Sequence, residues 1–266
     1  GSIATGAAVS VMLIRAGVSP IATLPIAFLA GALAGMVTGL LNTALGIPGI
    51  LASILTQISL YSINLNIMGK ANQPVSVDNY PLVVSLRYVT DGSVSRLLFF
   101  LGMIVFLLAL IAVMYWYFGT EQGHAIRATG CNSNMARAQG INTNFIKVLA
   151  LMISNGLVGL CGALYGQFQG ASDVNMGRGA IVIGLAAVII GEVLFGKFAS
   201  KRKLAFAFTL ASVILGAVIY YMVYQFVLWL KMPSEDMKLF SAIVVAIFLA
   251  IPYLKEKRTL RKGASK

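Results

Sequence analysis

Long apolar runs separated by short polar or charged segments dominate the sequence. A helix that spans a bilayer needs about 20 mainly apolar residues, with a range of roughly 17–25. Four runs reach that length: 21–41, 97–118, 148–164 and 204–230. Four more are shorter or interrupted: 3–14, 50–67, 180–195 and 239–254. Since backbone polar groups in lipid must be satisfied within their own segment, the pattern predicts an all-α polytopic membrane protein with about eight transmembrane helices.

The first apolar run begins almost at residue 1. It is too short to cross a bilayer alone, and the chain has no initiator methionine. We therefore expect at least one more hydrophobic helix before residue 1 in the complete protein. Residues 1–266 leave no room for a separate soluble domain, so we expect them to form one transmembrane domain.

Two regularities along the chain concern helix packing. Residues 1–9 resemble residues 180–188, with small and apolar side chains throughout and the same Ala-Ala-Val ending. Because the segments lie five spans apart, they would run in opposite directions, which predicts a weak inverted repeat, a transporter feature. Composition alone could also produce this match. Gly31, Gly35 and Gly39 share one helix at a spacing that allows close helix contact, which is common in any bundle.

Composition and charge agree with a membrane location. The chain is 59% hydrophobic and 11% charged, with a mean hydropathy of +0.88, whereas a soluble domain carries about 25% charged residues. Lysine and arginine prefer cytoplasmic loops, and 13 of the 20 basic residues lie in 118–147, 197–203 and 255–266. This predicts a multi-pass protein of the cytoplasmic membrane, surrounded by lipid, with a cytoplasmic C-terminal tail at 255–266. Since the basic residues lie at helix ends, we expect no nucleic-acid partner despite a net charge of +12.

No set of residues for catalysis or metal binding is visible. Two cysteines, Cys131 and Cys161, and one histidine, His124, are too few for a metal site or a Ser/His/Asp set. Residues 191–197 match most of a phosphate-binding loop, but Phe198 stands where the Mg²⁺-binding hydroxyl belongs, and the segment ends a membrane helix. We expect no enzymatic activity, no metal and no cofactor bound by this chain. Any ATP hydrolysis then belongs to another polypeptide.

The polar residues within and beside the apolar runs are mostly amides. Of the eight acidic residues only Glu192 lies within a run, so fixed charge for ion coupling is scarce. As a set, five amides offer a neutral translocation path: Asn42, Gln57, Asn64, Asn155 and Gln167. For each one alone, joining two helices is the simpler interpretation. The pattern favours a passage powered by another protein; the alternative is an ion-coupled secondary transporter or channel for a small neutral solute, in which Glu192 would act.

The polar segment 118–147 carries helix signals of its own. Asn and Ser residues at 132–134 can cap a helix start, and Gly140 can end one in the left-handed conformation. The segment therefore predicts a short helix over about residues 132–139 within a cytoplasmic loop. The alternative is an ordinary interhelical connection, although those are usually shorter.

Parts of this segment and its surroundings resemble a known family. The resemblance lies in Arg-Ala-Thr-Gly at 127–130 and Met-Ala-Arg-Ala-Gln-Gly-Ile-Asn at 135–142, and it continues through 147–164, 176–192, 1–8 and 60–70. In these residues the chain resembles the permease subunits of bacterial ABC importers for branched-chain amino acids, ribose and related solutes. It looks most like the branch for tryptophan or other aromatic amino acids. Cys131 departs from the family pattern, which has an acidic residue at that position.

The resemblance implies a set of partners and a site. Two permease chains, expected to be identical, would form the path, each bound to a cytoplasmic ATPase that uses ATP and Mg²⁺. An extracytoplasmic binding protein would deliver the solute, and the outer segment 68–96 offers a surface for it. The 132–144 segment would be the coupling helix that docks on the ATPase, through seven residues: Asn134, Met135, Arg137, Ala138, Gln139, Gly140 and Ile141.

Overall fold

The computed structural model describes residues 1–75, 80, 82–85, 93–199, 205–229, 246 and 250. Nine helices and two short strands are described in these ranges. In chain order they are α1 (Ser2–Arg15), α2 (Pro20–Thr43), α3 (Gly49–Met68), β1 (Asn72–Pro74), α4 (Ser93–Phe118), α5 (Glu121–Cys131), α6 (Ser133–Ala138), α7 (Thr143–Gln169), β2 (Ala171–Asp173), α8 (Ala180–Ala199) and α9 (Ala205–Trp229).

The helices coincide with the predicted apolar runs. Seven of the eight runs fall within α1, α2, α3, α4, α7, α8 and α9, apart from the ends of the 204–230 run. The eighth run, 239–254, lies outside the described residues except for 246 and 250, and so does the whole tail 255–266. Among the described residues, five helices are long and apolar enough to cross a membrane, and two further apolar helices are shorter. The fold class predicted from the sequence, an all-α polytopic membrane protein, is confirmed.

The chain divides into two compact units. The first contains residues 1–109 and 116–177, and the second contains 110–115 and 178–266. In the first unit, α7 packs against both α1 and α2. Most of α1 is buried there, including Ser2, Ser10 and Ile14, so this short helix is an interior element of the unit.

Small residues allow the helices of the first unit to touch through their backbones. A methyl group at Gly6 of α1 would overlap the carbonyl oxygen of Gly159 in α7. Methyl groups at Gly31 and Gly35 of α2 would likewise overlap main-chain oxygens of α7. At Gly39 the nearest atom to such a methyl group would be the Cα of Val148, at 2.9 Å. The glycine spacing in α2 therefore serves its contact with α7.

In the second unit, α8 and α9 make the same kind of contact. A methyl group at Gly191 would overlap the carbonyl oxygen of Ser212, and one at Gly216 would overlap that of Ala187. Ile190 and Tyr220 are buried beside this contact. Residues 1–9 and 180–188 both enter helices, α1 and α8, near their N-terminal ends; the inverted repeat stays a prediction.

Two short strands join the ends of α3 and α7. β1 and β2 pair antiparallel, with Gln73 opposite Ser172. Next to them, Val75 and Leu82 pack with Val11 and Ile14 of α1, and Tyr80 adds to this cluster. Three residues of the segment 68–96, Val75, Tyr80 and Leu82, thus pack against α1. These strands were not predicted from the sequence, because three-residue strands lack an alternating pattern of their own.

Candidate functional site

The predicted helix in the 118–147 segment is present as α6. The Oδ1 atom of Asn132 accepts hydrogen bonds from the backbone N–H groups of Asn134 and Met135, each at 3.1 Å. Gln139 follows the helix as its C-cap, and Gly140 has a φ of +83°, a left-handed value that glycine adopts without strain. Asn132 and Gly140 therefore bound the helix as the sequence indicated.

Residues of α6 and the turn after it are presented to the outside of the unit. Asn134, Met135, Arg137, Ala138, Gln139 and Gly140 are exposed, and Ile141 is half-buried. Ala136 is buried and attaches the helix to the body of the unit. The Met135 side chain is 63% exposed. A large, flexible apolar group therefore lies at the surface among the exposed polar residues of α6. Docking of these residues on an ATPase stays a prediction.

The helix α6 is fastened to the start of α7. The guanidinium of Arg137 donates a 3.1 Å hydrogen bond to Oγ1 of Thr143, the first residue of α7, which is buried. The N–H of Ile141 donates to the carbonyl oxygen of Ala136 at 3.1 Å. Asn142 caps α7 by accepting from the N–H of Phe145 at 3.2 Å. These bonds join α6 to the start of α7.

A second helix, α5, occupies the part of the segment that the sequence analysis treated as loop. Thr120 caps it by accepting a 3.3 Å hydrogen bond from the N–H of Gly123. A methyl group at Gly123 would collide with the backbone of Phe118, so glycine allows the tight turn out of α4. The signal that could have found α5 is Thr120 followed by Glu121, an N-cap residue with an acid in the first turn.

Gln167 is fully buried and lies where four parts of the first unit meet. The two hydrogens of its Nε2 atom are shared among three acceptors: Oγ of Ser10 at 3.1 Å, Oγ1 of Thr23 at 3.3 Å and the carbonyl oxygen of Pro20 at 3.3 Å. Its Oε1 atom accepts from the backbone N–H of Val83 at 3.1 Å. The side chain therefore connects α7 with α1, α2 and the segment 82–85.

Two other amides of the predicted path also make hydrogen bonds within the chain. Asn155 of α7 accepts a 2.6 Å hydrogen bond from Ser2 of α1 and donates to the carbonyl oxygen of Leu151 at 3.0 Å. Asn42, near the end of α2, donates to the carbonyl oxygen of Ile47 at 2.8 Å. The bond from Ser2 to Asn155 joins two helices, a role that buried amides commonly take.

The remaining two amides lie on α3 and differ in burial. Gln57 is exposed. Asn64 is 1% exposed, and neither atom of its amide has a hydrogen-bond partner among the described residues. The five amides thus lie at separate places in the fold; Asn155 and Gln167 share α7 but are about 18 Å apart along its axis at 1.5 Å per residue. A role of these residues in a solute path stays a prediction.

Acidic and metal-ligating groups are sparse in the described part of the chain. No three His, Cys, Asp or Glu side chains lie close enough there to hold a metal ion. Glu192 is exposed on α8. Cys131 and Cys161 are both exposed free cysteines.

The chain is similar to known transport proteins along nearly its whole length. A family described as branched-chain amino acid transport system / permease component matches residues 1–252. A tyrosine transport system permease protein of Clostridioides difficile (strain R20291) is 39% identical over 250 residues, which are 94% of this chain and 79% of the relative.

Two more distant relatives carry related descriptions. The inner membrane ABC transporter permease protein YjfF of Escherichia coli (strain K12) is 25% identical over 178 residues, 67% of this chain and 53% of the relative. The autoinducer 2 import system permease protein LsrC of Yersinia pseudotuberculosis (serotype O:3, strain YPIII) is 28% identical over 238 residues, 88% of this chain and 62% of the relative. No solved structure matches the chain.

Proposed function

This chain belongs to the permease-component family of branched-chain amino acid transport systems and is a multi-pass membrane subunit of an ABC importer, and from that premise we propose that it imports an aromatic amino acid and is driven through α6. The energy comes from the ATPase partner that subunits of such systems work with. An ion-coupled carrier or channel, the alternative left open by the sequence, does not fit this family.

The proposed solute is an aromatic amino acid of the tyrosine type. The relative that is 39% identical over 94% of this chain is described as a tyrosine transport system permease protein. The motifs at 127–130 and 135–142 resemble the aromatic amino-acid branch of the family. The neutral amides along the helices suit an aromatic amino acid, a zwitterion that carries no net charge at neutral pH.

The coupling role of α6 is carried by one observation: a capped, exposed helix is fastened by Arg137 to the start of α7. ATP closes the pair of ATPase subunits, and a docked α6 passes this rigid-body motion to the membrane helices. Met135 and Ile141 supply apolar contacts, and Asn134, Arg137 and Gln139 supply polar ones. Gly140 sets the angle at which the chain turns into α7, while Ala138 keeps the docked surface flat.

The remaining parts of the proposal concern partners and orientation. A second, identical permease chain completes the path, and an extracytoplasmic solute-binding protein docks on the segment 68–96. The segment 118–147 and the C-terminus lie in the cytoplasm of a bacterium, with the chain in its cytoplasmic membrane. This chain itself binds no ATP, Mg²⁺ or other cofactor and catalyses no reaction, because those steps belong to the ATPase.

Labelling of Cys131 tests the orientation. Cys131 is exposed at the end of α5, so a membrane-impermeant maleimide should modify it in inside-out vesicles and leave it unmodified in intact spheroplasts. The Cys131→Ser variant, which retains Cys161, supplies the background reading for each preparation. Modification of Cys131 from the outside of spheroplasts would reverse the orientation.

The importer proposal as a whole is tested by purification followed by uptake. The chain, tagged and extracted from native membranes in detergent, should bring down an ATPase subunit in about equal amount. Proteoliposomes that contain this complex should accumulate radiolabelled tyrosine only when ATP and a solute-binding protein are both supplied. A chain that is recovered alone and carries tyrosine without ATP would overturn the proposal, and uptake of leucine but not tyrosine would overturn its solute class.

A further inference from the structure

The hydrogen bonds around the buried Gln167 side chain support a further proposal, which rests on the proposed function. We propose that Gln167 is a positioning residue that makes the segment 82–85 follow the movement of α7. Through this residue, the displacement that the ATPase imposes on α6 reaches the opposite side of the membrane. The segment 82–85 is then a moving part of the outer face, the side on which the solute-binding protein arrives.

The helix α7 provides a continuous link between the two sides. Its 27 residues give it a length of about 40 Å at 1.5 Å per residue. At its first residue, Thr143 accepts the hydrogen bond from Arg137 of α6. Along its length, Gly159 brings its backbone against α2, and Gly162 brings it against α1. Closely packed interiors transmit strain, so a displacement at Thr143 carries the far end of α7 with it.

Near the far end of α7, several hydrogen bonds restrict the orientation of the Gln167 side chain. Ser10 and Thr23 are hydrogen-bonded to each other at 2.8 Å, and Thr23 also donates to the carbonyl oxygen of Pro20 at 2.7 Å. Gln167 binds to all three of these groups and is itself 1% exposed. A buried polar group that loses its partner is costly because no water replaces the bond. The amide orientation is therefore fixed, and its Oε1 atom is directed at the N–H of Val83.

The segment 82–85 is held from two sides. The Val83 N–H bond ties it to α7, and Leu82 packs with Val11 and Ile14 of α1. Both helices belong to the body that α6 moves. A purely static role for Gln167 would stabilise the fold without passing on any movement, and the experiment separates these two roles.

The reporter is a cysteine at position 83 in a background that lacks Cys131 and Cys161. The Val83→Cys substitution keeps the backbone N–H, and Val83 is 37% exposed. The rate of labelling by a membrane-impermeant maleimide is measured on the purified permease–ATPase complex, without nucleotide and after trapping with ATP and vanadate. We expect the two rates to differ about tenfold, within the range typical of coupled sites.

The test variant is Gln167→Leu, which keeps a side chain of similar size and removes both hydrogen-bonding atoms. In this variant the two labelling rates should agree within about twofold, and stimulation of ATP hydrolysis by loaded binding protein should fall about tenfold. The matched control is Gln169→Leu, on the same helix, where the exposed amide bonds only to Tyr165 among the described residues. The control should keep the full difference between the two rates.

A second pair of variants changes the donor of the hydrogen bond between Val83 and Gln167. Val83→Pro removes the N–H donor and leaves Gln167 unchanged, whereas Val83→Ala retains the donor. Val83→Pro should reduce stimulated hydrolysis about as much as Gln167→Leu, and the double variant should show no further loss. This pair decides the question if Gln167→Leu is absent from the membrane.

The outcomes separate the two proposals. Nucleotide-dependent labelling that persists in Gln167→Leu, or normal stimulation in Val83→Pro, overturns the role of Gln167 while the importer function stands. Equal labelling rates at position 83 with and without nucleotide, in the Val83→Cys chain that keeps Gln167, also overturn the role of Gln167. A wild-type complex without ATPase activity contradicts the proposed function itself.

Discussion

Replacing Gly6 by valine is expected to remove the folded protein from the membrane. A side chain at this position of α1 would overlap the carbonyl oxygen of Gly159, and neither backbone can withdraw because both helices are buried at the contact. Overpacking a well-packed core usually costs about 1–3 kcal/mol, and a clash with a main-chain atom belongs to the upper end or beyond. Membrane abundance and the midpoint of thermal unfolding in detergent should both fall sharply.

The matched control for this substitution is Gly102→Val. Gly102 also lies within an apolar helix, α4, but among the described residues no atom beyond the helix's own nearby backbone lies within 4 Å of the position that a methyl group would occupy. Abundance and unfolding temperature should stay near the wild-type values there. If both valine variants show the same abundance and unfolding temperature, α1 and α7 do not make the close contact described. If only Gly6→Val is missing from the membrane, the two helices touch through their backbones.

Charge reversal at Arg137 and proline at Ala138 are expected to uncouple transport without preventing membrane insertion. Glutamate at 137 cannot donate to Thr143, and it places a negative charge at the end of α6, where the helix dipole favours a positive one. Proline at 138 removes a backbone N–H and collides with the preceding turn. Uptake should fall at least about tenfold in both variants, the loss of a typical coupling energy.

The controls for this pair keep the local chemistry. Arg137→Lys retains the positive charge, and Ala138→Ser retains the backbone N–H, so each should lose far less uptake than its counterpart. Abundance in the membrane and recovery of the ATPase with the tagged chain are measured together with uptake. Normal uptake in both Arg137→Glu and Ala138→Pro would refute the assignment of α6 as the coupling helix.

Local signals explain what could be predicted before the structure. The apolar runs mark seven described helices because a bilayer requires each spanning segment to satisfy its own backbone, a demand visible within about 20 consecutive residues. The bounds of α6 were predicted because Asn132 and Gly140 act within one turn of the residues they cap. The helix α5 was missed although Thr120 and Glu121 carry a start signal, since its middle has no apolar periodicity to extend that signal.

The sequence by itself determined the class of protein, the apolar helices, α6 and the family, because these depend on composition, on runs of neighbouring residues and on motifs in order. It also singled out Asn155 and Gln167 as amides within or beside the apolar runs. Only the tertiary structure decided what those amides do: Gln167 meets Ser10 across 157 positions of the chain, and Asn155 meets Ser2 across 153. A hydrogen bond depends on the distance between two atoms in space, and nothing in the local pattern around either residue specifies a partner so far away.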